Sequence, residues 1–119
     1  MGNAFLNRMT VLPEFKTAIM AIPKTDIYKF DLKTGDTEGL VNYALSIEGV
    51  HFAALFSERE DKIRISFRSV GEFSVNQFAR NHFEGGGHRN AAGGDSFIDM
   101  DKTLEKFERL LAEYASELK

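Results

Sequence analysis

The chain of 119 residues contains no cysteine. That excludes a disulfide framework and a thiolate nucleophile, and it fits a reducing compartment. No apolar run approaches the roughly 20 residues that span a bilayer, and the N-terminus lacks the basic, apolar and small-residue succession of a signal peptide. These absences point to a cytoplasmic protein with no membrane partner. The GxxxxGK and GxGxxG spacings are missing too, so neither nucleoside-triphosphate hydrolysis nor dinucleotide binding of the Rossmann kind has support. Three histidines, His51, His82 and His88, make a metal site only if scattered carboxylates join them, and no nucleophile elbow is present. Neither a metal site nor a catalytic residue is assigned to this chain. His82 reads as a helix-surface or partly packed residue and His51 as a strand-edge residue.

What is present is an ordinary globular composition, with 43% hydrophobic residues, 28% charged residues and 11 phenylalanines. A chain of this size fits one domain that buries roughly two-thirds of its unfolded surface. Charge is unevenly spread. The net charge is −3, yet the stretch from Lys62 to Ala92 carries +3 and the remainder −6. A local basic zone on an acidic chain suits a small or single-stranded anion better than wrapping by duplex DNA.

Residues 2–9 have helical spacing without a cap, as at the end of a longer segment. Thr17–Ile22 is a short apolar run closed by Pro23 and predicts a buried strand, Asp26 to Gly35 reads as a polar loop, and Asp36 or Thr37 caps a helix ending near Gly49. His51 to Glu58 and Lys62 to Val70 form a hairpin. In its second strand Ile63, Ile65 and Phe67 alternate with Arg64, Ser66 and Arg68, which places the arginines opposite the core. Ser74 and Gln77 open an amphipathic helix running to Phe83, Ala92 to Ile98 makes a further strand, and a helix from Asp101 has Leu104, Phe107, Leu111, Tyr114 and Leu118 inward. The expected architecture is α/β, a mixed β-sheet with helices packed on it in the order β-α-β-β-α-β-α.

Between the last two of these strands and helices lies Gly85 to Gly94, GGGHRNAAGG, which sets His88, Arg89 and Asn90 among five glycines. Such a run beside positive side chains lets an anion approach the main chain, with phosphate as the natural guest and a flexible linker as the alternative. Together with RISFRS at 64–69, this stretch resembles the signature of the DHH-associated C-terminal domain of DHH-family phosphoesterases. MTVLPEFKTAIMAI at 9–22 and DTEGLVNYALSIEGV at 36–50 extend the resemblance toward oligoribonucleases, 3′-phosphoadenosine 5′-phosphate phosphatases and exopolyphosphatase-related members.

The resemblance implies a substrate-binding domain over residues 17–119, with residues 1–16 as the end of an interdomain helix or linker from an N-terminal DHH catalytic domain absent from this chain. It implies that manganese sits on that domain, with no cofactor held by this chain, which alone is inactive. Arg68 and Ser69 would then meet a phosphate, Gly86 and Gly87 would offer close backbone, His88 would clamp phosphate or sugar, and Arg89 and Asn90 would contribute secondarily. Short single-stranded RNA or nucleotide phosphates are the implied ligands, and a homodimer through the parent protein is compatible. Two other readings stay open: a free-standing single-stranded RNA-binding module or an alanyl-tRNA-synthetase-like appended domain, and a small interaction domain whose glycine run is structural.

Overall fold

The computed structural model describes residues 9–29, 31 and 33–118. Six strands form one sheet in the order β1-β2-β3-β4-β6-β5. They are β1 (Met9–Leu12), β2 (Thr17–Ile22), β3 (Phe52–Glu58), β4 (Ile63–Ser69), β5 (Gly86–His88) and β6 (Ala91–Ser96). Only β2 and β3 run parallel, and the other neighbours are antiparallel. The expected mixed α/β sheet is therefore what forms.

A parallel pair needs a crossover. The one between β2 and β3 carries helices α1 (Lys24–Lys29) and α2 (Thr34–Leu45). They pack on one face of the sheet, where Ala18, Met20 and Ile22 of β2 and Ala53 and Leu55 of β3 meet Ile27, Val41 and Ala44. Helices α3 (Val75–His82) and α4 (Met100–Glu113), with the short α5 (Ala115–Leu118), are joined to the other face. There Phe52, Ala54 and Phe56 of β3 and Ile63, Ile65 and Phe67 of β4 pack against Phe78, Phe107 and Leu111. Strands β2 and β3 are thus covered on both sides, which explains why TAIMAI and FAALF are almost wholly apolar. Strand β4 is covered on one side and alternates accordingly, its odd-numbered residues buried and its even-numbered ones not.

The core under α3 and α4 is rich in phenylalanine. Phe78 lies 5.3 Å from Phe52, 5.5 Å from Phe67 and 5.8 Å from Phe107 between ring centroids, all with edge-on geometry, an arrangement that adds to the burial term. His82, one turn further along α3, is wedged against Phe78 and Tyr114, its Nε2 in hydrogen-bond contact with the Tyr114 hydroxyl at 2.9 Å. Burial, and then the Lys106 ammonium, hold this imidazole below its ordinary pKa. The partly packed alternative for His82 is the one that holds.

Several boundaries differ from the sequence reading. Within residues 1–16, read as an interdomain helix or linker, Met9–Leu12 is a strand that pairs antiparallel with β2, and a 3₁₀ turn, Pro13–Phe15, joins them. The helical reading of residues 2–8 lies outside the described residues. The polar stretch after Pro23 is helical rather than a loop. The Pro23 carbonyl accepts from Asp26 and Ile27 N–H at 3.0 and 3.3 Å, and buried Ile27 fastens α1 to the sheet. Helix α2 starts earlier than expected, with Lys33 at the N-cap position; Asp36 is one turn inside, its carboxylate accepting the Lys33 N–H at 3.1 Å. The cap on α3 is as expected, Ser74 Oγ accepting from Gln77 N–H at 3.2 Å. Strand β6 stops at Ser96, leaving Phe97 and Ile98 exposed, because Asp99 caps α4 through Lys102 N–H. Among the described residues no helix is long and apolar enough to cross a membrane.

Truncating Phe78 to alanine removes the ring that bridges β3, β4 and α4, and should cost about 3–5 kcal/mol in urea unfolding. For His82 the folded value lies below the unfolded one of about 6.5. As pH falls through that window the unfolded chain takes the proton first, so stability present above it is lost. Thermal unfolding between pH 7.5 and 5, values chosen to bracket the ordinary titration range of roughly 6.5, should show this decline. His82→Gln should flatten it; identical slopes would remove the assignment.

Candidate functional site

The two faces of the sheet are not equally roofed. Helices α1 and α2 cover β2 and β3, with α2 reaching the edge of β4, and beyond them the same face of the sheet through β6 and β5 is open. The register shows how side chains arrive there. Leu55 pairs with Ser66, Ser57 with Arg64 and Ala53 with Arg68 across β3 and β4. On the far side Ser66 pairs with Gly93, Arg68 with Ala91 and Arg64 with Asp95 across β4 and β6. Paired residues share a face, so one pleat surface carries Ser57, Arg64, Ser66, Arg68, Ala91 and Gly93 together.

The result is an open groove of about 680 Å³. Strand β4 supplies Arg64, Ser66 and Arg68; the hairpin that follows α3 supplies Gly86, Gly87, His88, Ala91 and Gly93. The near wall is Thr37 and Glu38 of α2 with Ser57 of β3, and the β3–β4 turn closes one end with Arg59, Asp61 and Lys62. Thr37 lies one helical turn before buried Val41, so the stripe that packs α2 on the sheet also brings its first turn to the groove.

Cations dominate the lining, and their commitments differ. Lys62 Nζ stands 3.5 Å from Asp95 Oδ1, both side chains about three-quarters covered. That carboxylate oxygen has no hydrogen bond of its own, so the ammonium is its compensating charge. Arg68 Nη1 donates to the Phe67 carbonyl at 2.9 Å, which anchors the guanidinium at the groove and leaves its remaining N–H groups for a ligand. Among the described residues the side chains of Arg64 and His88 have no hydrogen-bond or ion-pair partner. The groove can therefore receive an anion without first breaking a strong pair.

The glycine run expected as a loop is a hairpin. Strand β5 pairs with β6 through Gly86 to Gly93, Gly87 to Ala92 and His88 to Ala91, leaving Arg89 and Asn90 as a two-residue turn. Glu84, in the left-handed region at φ 48°, swings the chain out of α3 into it. The glycines serve close packing more than an anion nest. A Cβ on Gly85 would overlap the Gly93 carbonyl, and one on Gly87 would come within 2.6 Å of the Ala91 carbonyl. The Gly87 N–H is already taken by Asn76 Oδ1 at 2.9 Å.

Of the seven candidate residues, the fold brings Arg68, Gly86, Gly87 and His88 into the groove. Ser69, Arg89 and Asn90 do not line it. Ser69 has the parity of Phe67 and is 3% exposed; its Oγ donates to the Phe73 carbonyl at 2.7 Å and accepts from Asn90 Nδ2 at 2.9 Å. Asn90 also donates to the Gly71 carbonyl at 3.1 Å, while Arg89 faces Glu72 at 3.8 Å on the surface. These three hold the hairpin turn to the end of β4. The sequence reading overlooked Ser57, Arg59, Lys62, Thr37 and Glu38 as site residues. The serine that interrupts β3's apolar run was the available signal for Ser57; nothing local marks the α2 pair.

Among the described residues no group of three or more histidine, cysteine, aspartate or glutamate side chains could hold a metal ion. The donor set does not fit manganese.

The chain is thus an α/β domain in which an open stretch of one sheet face sets a basic strand beside a glycine-rich hairpin. Residues 15–119 match the DHHA1 domain family, and the chain belongs to it. It is 32% identical over 114 residues to the bifunctional oligoribonuclease and PAP phosphatase NrnA of Bacillus subtilis, covering 94% of this chain and 36% of that protein. An exopolyphosphatase-related protein from Bacteroides fragilis superposes with a TM-score of 0.91 at 39% identity, over 98% of this chain and 34% of that one. The C-Ala domain of Aquifex aeolicus alanyl-tRNA synthetase shares the fold, with a TM-score of 0.62 at 14% identity over 81% of this chain and 87% of that domain. The chain thus spans about a third of the length of the first two relatives.

Ser69→Ala should cost about 1–3 kcal/mol of stability by leaving the Phe73 carbonyl and Asn90 amide short of a buried partner. Anion affinity, measured on the folded variant, should stay at the wild-type level. A selective loss of affinity would return Ser69 to the site.

Proposed function

We propose that this chain is the substrate-binding domain of a manganese-dependent phosphoesterase acting on short RNA, linear dinucleotides or nucleoside 3′,5′-bisphosphates. The observation that carries the reading is the groove, where Arg68 and unpartnered His88 and Arg64 converge on the unroofed face of β4 and its neighbours. In this reading Arg68 forks onto a phosphate, His88 donates to a phosphate or sugar oxygen, and Gly86 and Gly87 let the ligand close on the hairpin. Charge-assisted hydrogen bonds of this kind contribute about 1.5–3 kcal/mol each.

Membership of the DHHA1 family and the oligoribonuclease and PAP phosphatase activities of the Bacillus relative support the substrate class. Catalysis and manganese belong, in this reading, to a DHH domain of the same parent protein, so this chain binds without turnover. The RNA-module alternative needs aromatic stacking platforms. Instead Phe52, Phe56, Phe67, Phe78, Phe83 and Phe107 are fully buried, and among the described residues no phenylalanine or tyrosine lines the groove.

Titrating a 5′-phosphorylated dinucleotide should shift the amide resonances of residues 85–90 and of Arg68 and Ser69. Arg68→Ala and His88→Ala should each weaken binding by roughly tenfold or more with folding unchanged. Silent amides at millimolar ligand would refute the reading, and hydrolysis by this chain with manganese would refute the division of labour.

A further inference from the structure

Gly93 has a different reason to be glycine from the others in its run. Gly94 is held by the core, since a Cβ there would come within 3.0 to 3.2 Å of Phe83 and Phe67. Gly85 and Gly87 are held by the hairpin backbone, as described above. At Gly93 a Cβ would meet nothing closer than the Ile65 carbonyl at 3.6 Å, an ordinary contact, and its φ lies outside the positive range closed to other residues. Nothing in the fold requires glycine there. In a strand interior glycine is costly and marks a bulge, a bend or a close approach to the backbone; the register runs unbroken through Gly93 on both sides, which favours a close approach.

The other molecule's chemistry follows from the ladder. Strand β6 lies between β4 and β5, and Gly93 is registered with Ser66 on one side and Gly86 on the other. Its main-chain groups are directed to neighbouring strands, so it offers no free donor to a phosphate. What it presents to the groove is a bare patch of Cα surface between Ser66 and the glycines of β5, with Ala91 the next groove-facing residue along the strand. A flat patch without donors fits the face of a ring, and Arg68 and His88 on the same surface fit the phosphate attached to it.

We propose that Gly93 is the floor on which the ring of a bound nucleotide packs, and that residue 93 decides whether nucleotides, as distinct from simple phosphates, enter the groove. The proposal rests on the phosphate-binding reading above. It assigns Gly93 a positioning and selectivity role, separate from the charge contacts of Arg68 and His88.

The test compares the wild-type chain with Gly93→Ala and Gly93→Val, using adenosine 3′,5′-bisphosphate as the ring-bearing probe and tripolyphosphate as the ring-less one. Both variants should fold with unchanged or slightly raised melting temperature. Gly93→Val should weaken the bisphosphate by roughly tenfold or more, Gly93→Ala by less, and neither should alter tripolyphosphate binding. Wild-type affinity for the bisphosphate in folded Gly93→Val would overturn the proposal, as would equal loss of both probes, which would show a blocked groove rather than a lost ring seat. Should Gly93→Val fail to fold, Gly93→Ala decides by the same comparison. A wild-type chain that binds tripolyphosphate but not the bisphosphate removes the ring seat and leaves the anion site. One that binds neither probe overturns the phosphate reading itself, and the seat with it.

Discussion

Strand β4 has two faces and only one of them is roofed on the side where it matters. Burying Ile63, Ile65 and Phe67 under α3 and α4 obliges the pleat to turn Arg64, Ser66 and Arg68 the other way. That single alternation joins stability to function. The side chains that drive β4 into the aromatic core also fix the direction and spacing of the arginines, so a slip of one residue in register would bury both guanidinium groups and expose a phenylalanine.

The groove exists because the crossover helices stop before the far strands of the sheet. Helices α1 and α2 lie over β2 and β3, with α2 reaching β4, and the sheet continues past them through β6 and β5. Towards the end of β3 this face changes from Ala53 and Leu55 to Ser57, which is itself buried in the groove wall. The hairpin then has to be thin. A Cβ at Gly85 or Gly87 would collide with β6, and one at Gly94 on β6 would press on the Phe67 ring and on the Cβ and carbonyl of Phe83. The turn at Arg89 and Asn90 is held by Ser69 and by backbone bonds from Ser69 and Val75 N–H to the Asn90 and Arg89 carbonyls, leaving His88 at the groove beside a firmly tethered corner.

The elements with strong periodicity were legible. Thr17–Ile22, the β3–β4 hairpin, the Ser74-capped α3 and the last helix follow from apolar spacing and capping chemistry that act over a few residues. The strand expected from Ala92 forms as β6, Ala91–Ser96, whereas β5 was not legible, because glycine signals loops and GGH has little intrinsic preference for a strand. Gly86–His88 became β5 by pairing along β6, which β4 holds in the sheet. The polar stretch after Pro23 likewise became α1 through Ile27, a contact with the sheet that no local pattern reveals.

For the site, the sequence by itself determined the charge and the parity. It placed an excess of positive residues between Lys62 and Ala92, and by alternation it set Arg64, Ser66 and Arg68 on one face and Ser69 on the face of Phe67. Tertiary structure decided which glycine-run residues join them. Parity is a property of one strand, whereas register, and the part of the sheet the helices leave bare, are properties of the assembled layers. His88 therefore meets Arg68 at the groove, while Asn90, two residues on, is spent on holding the turn.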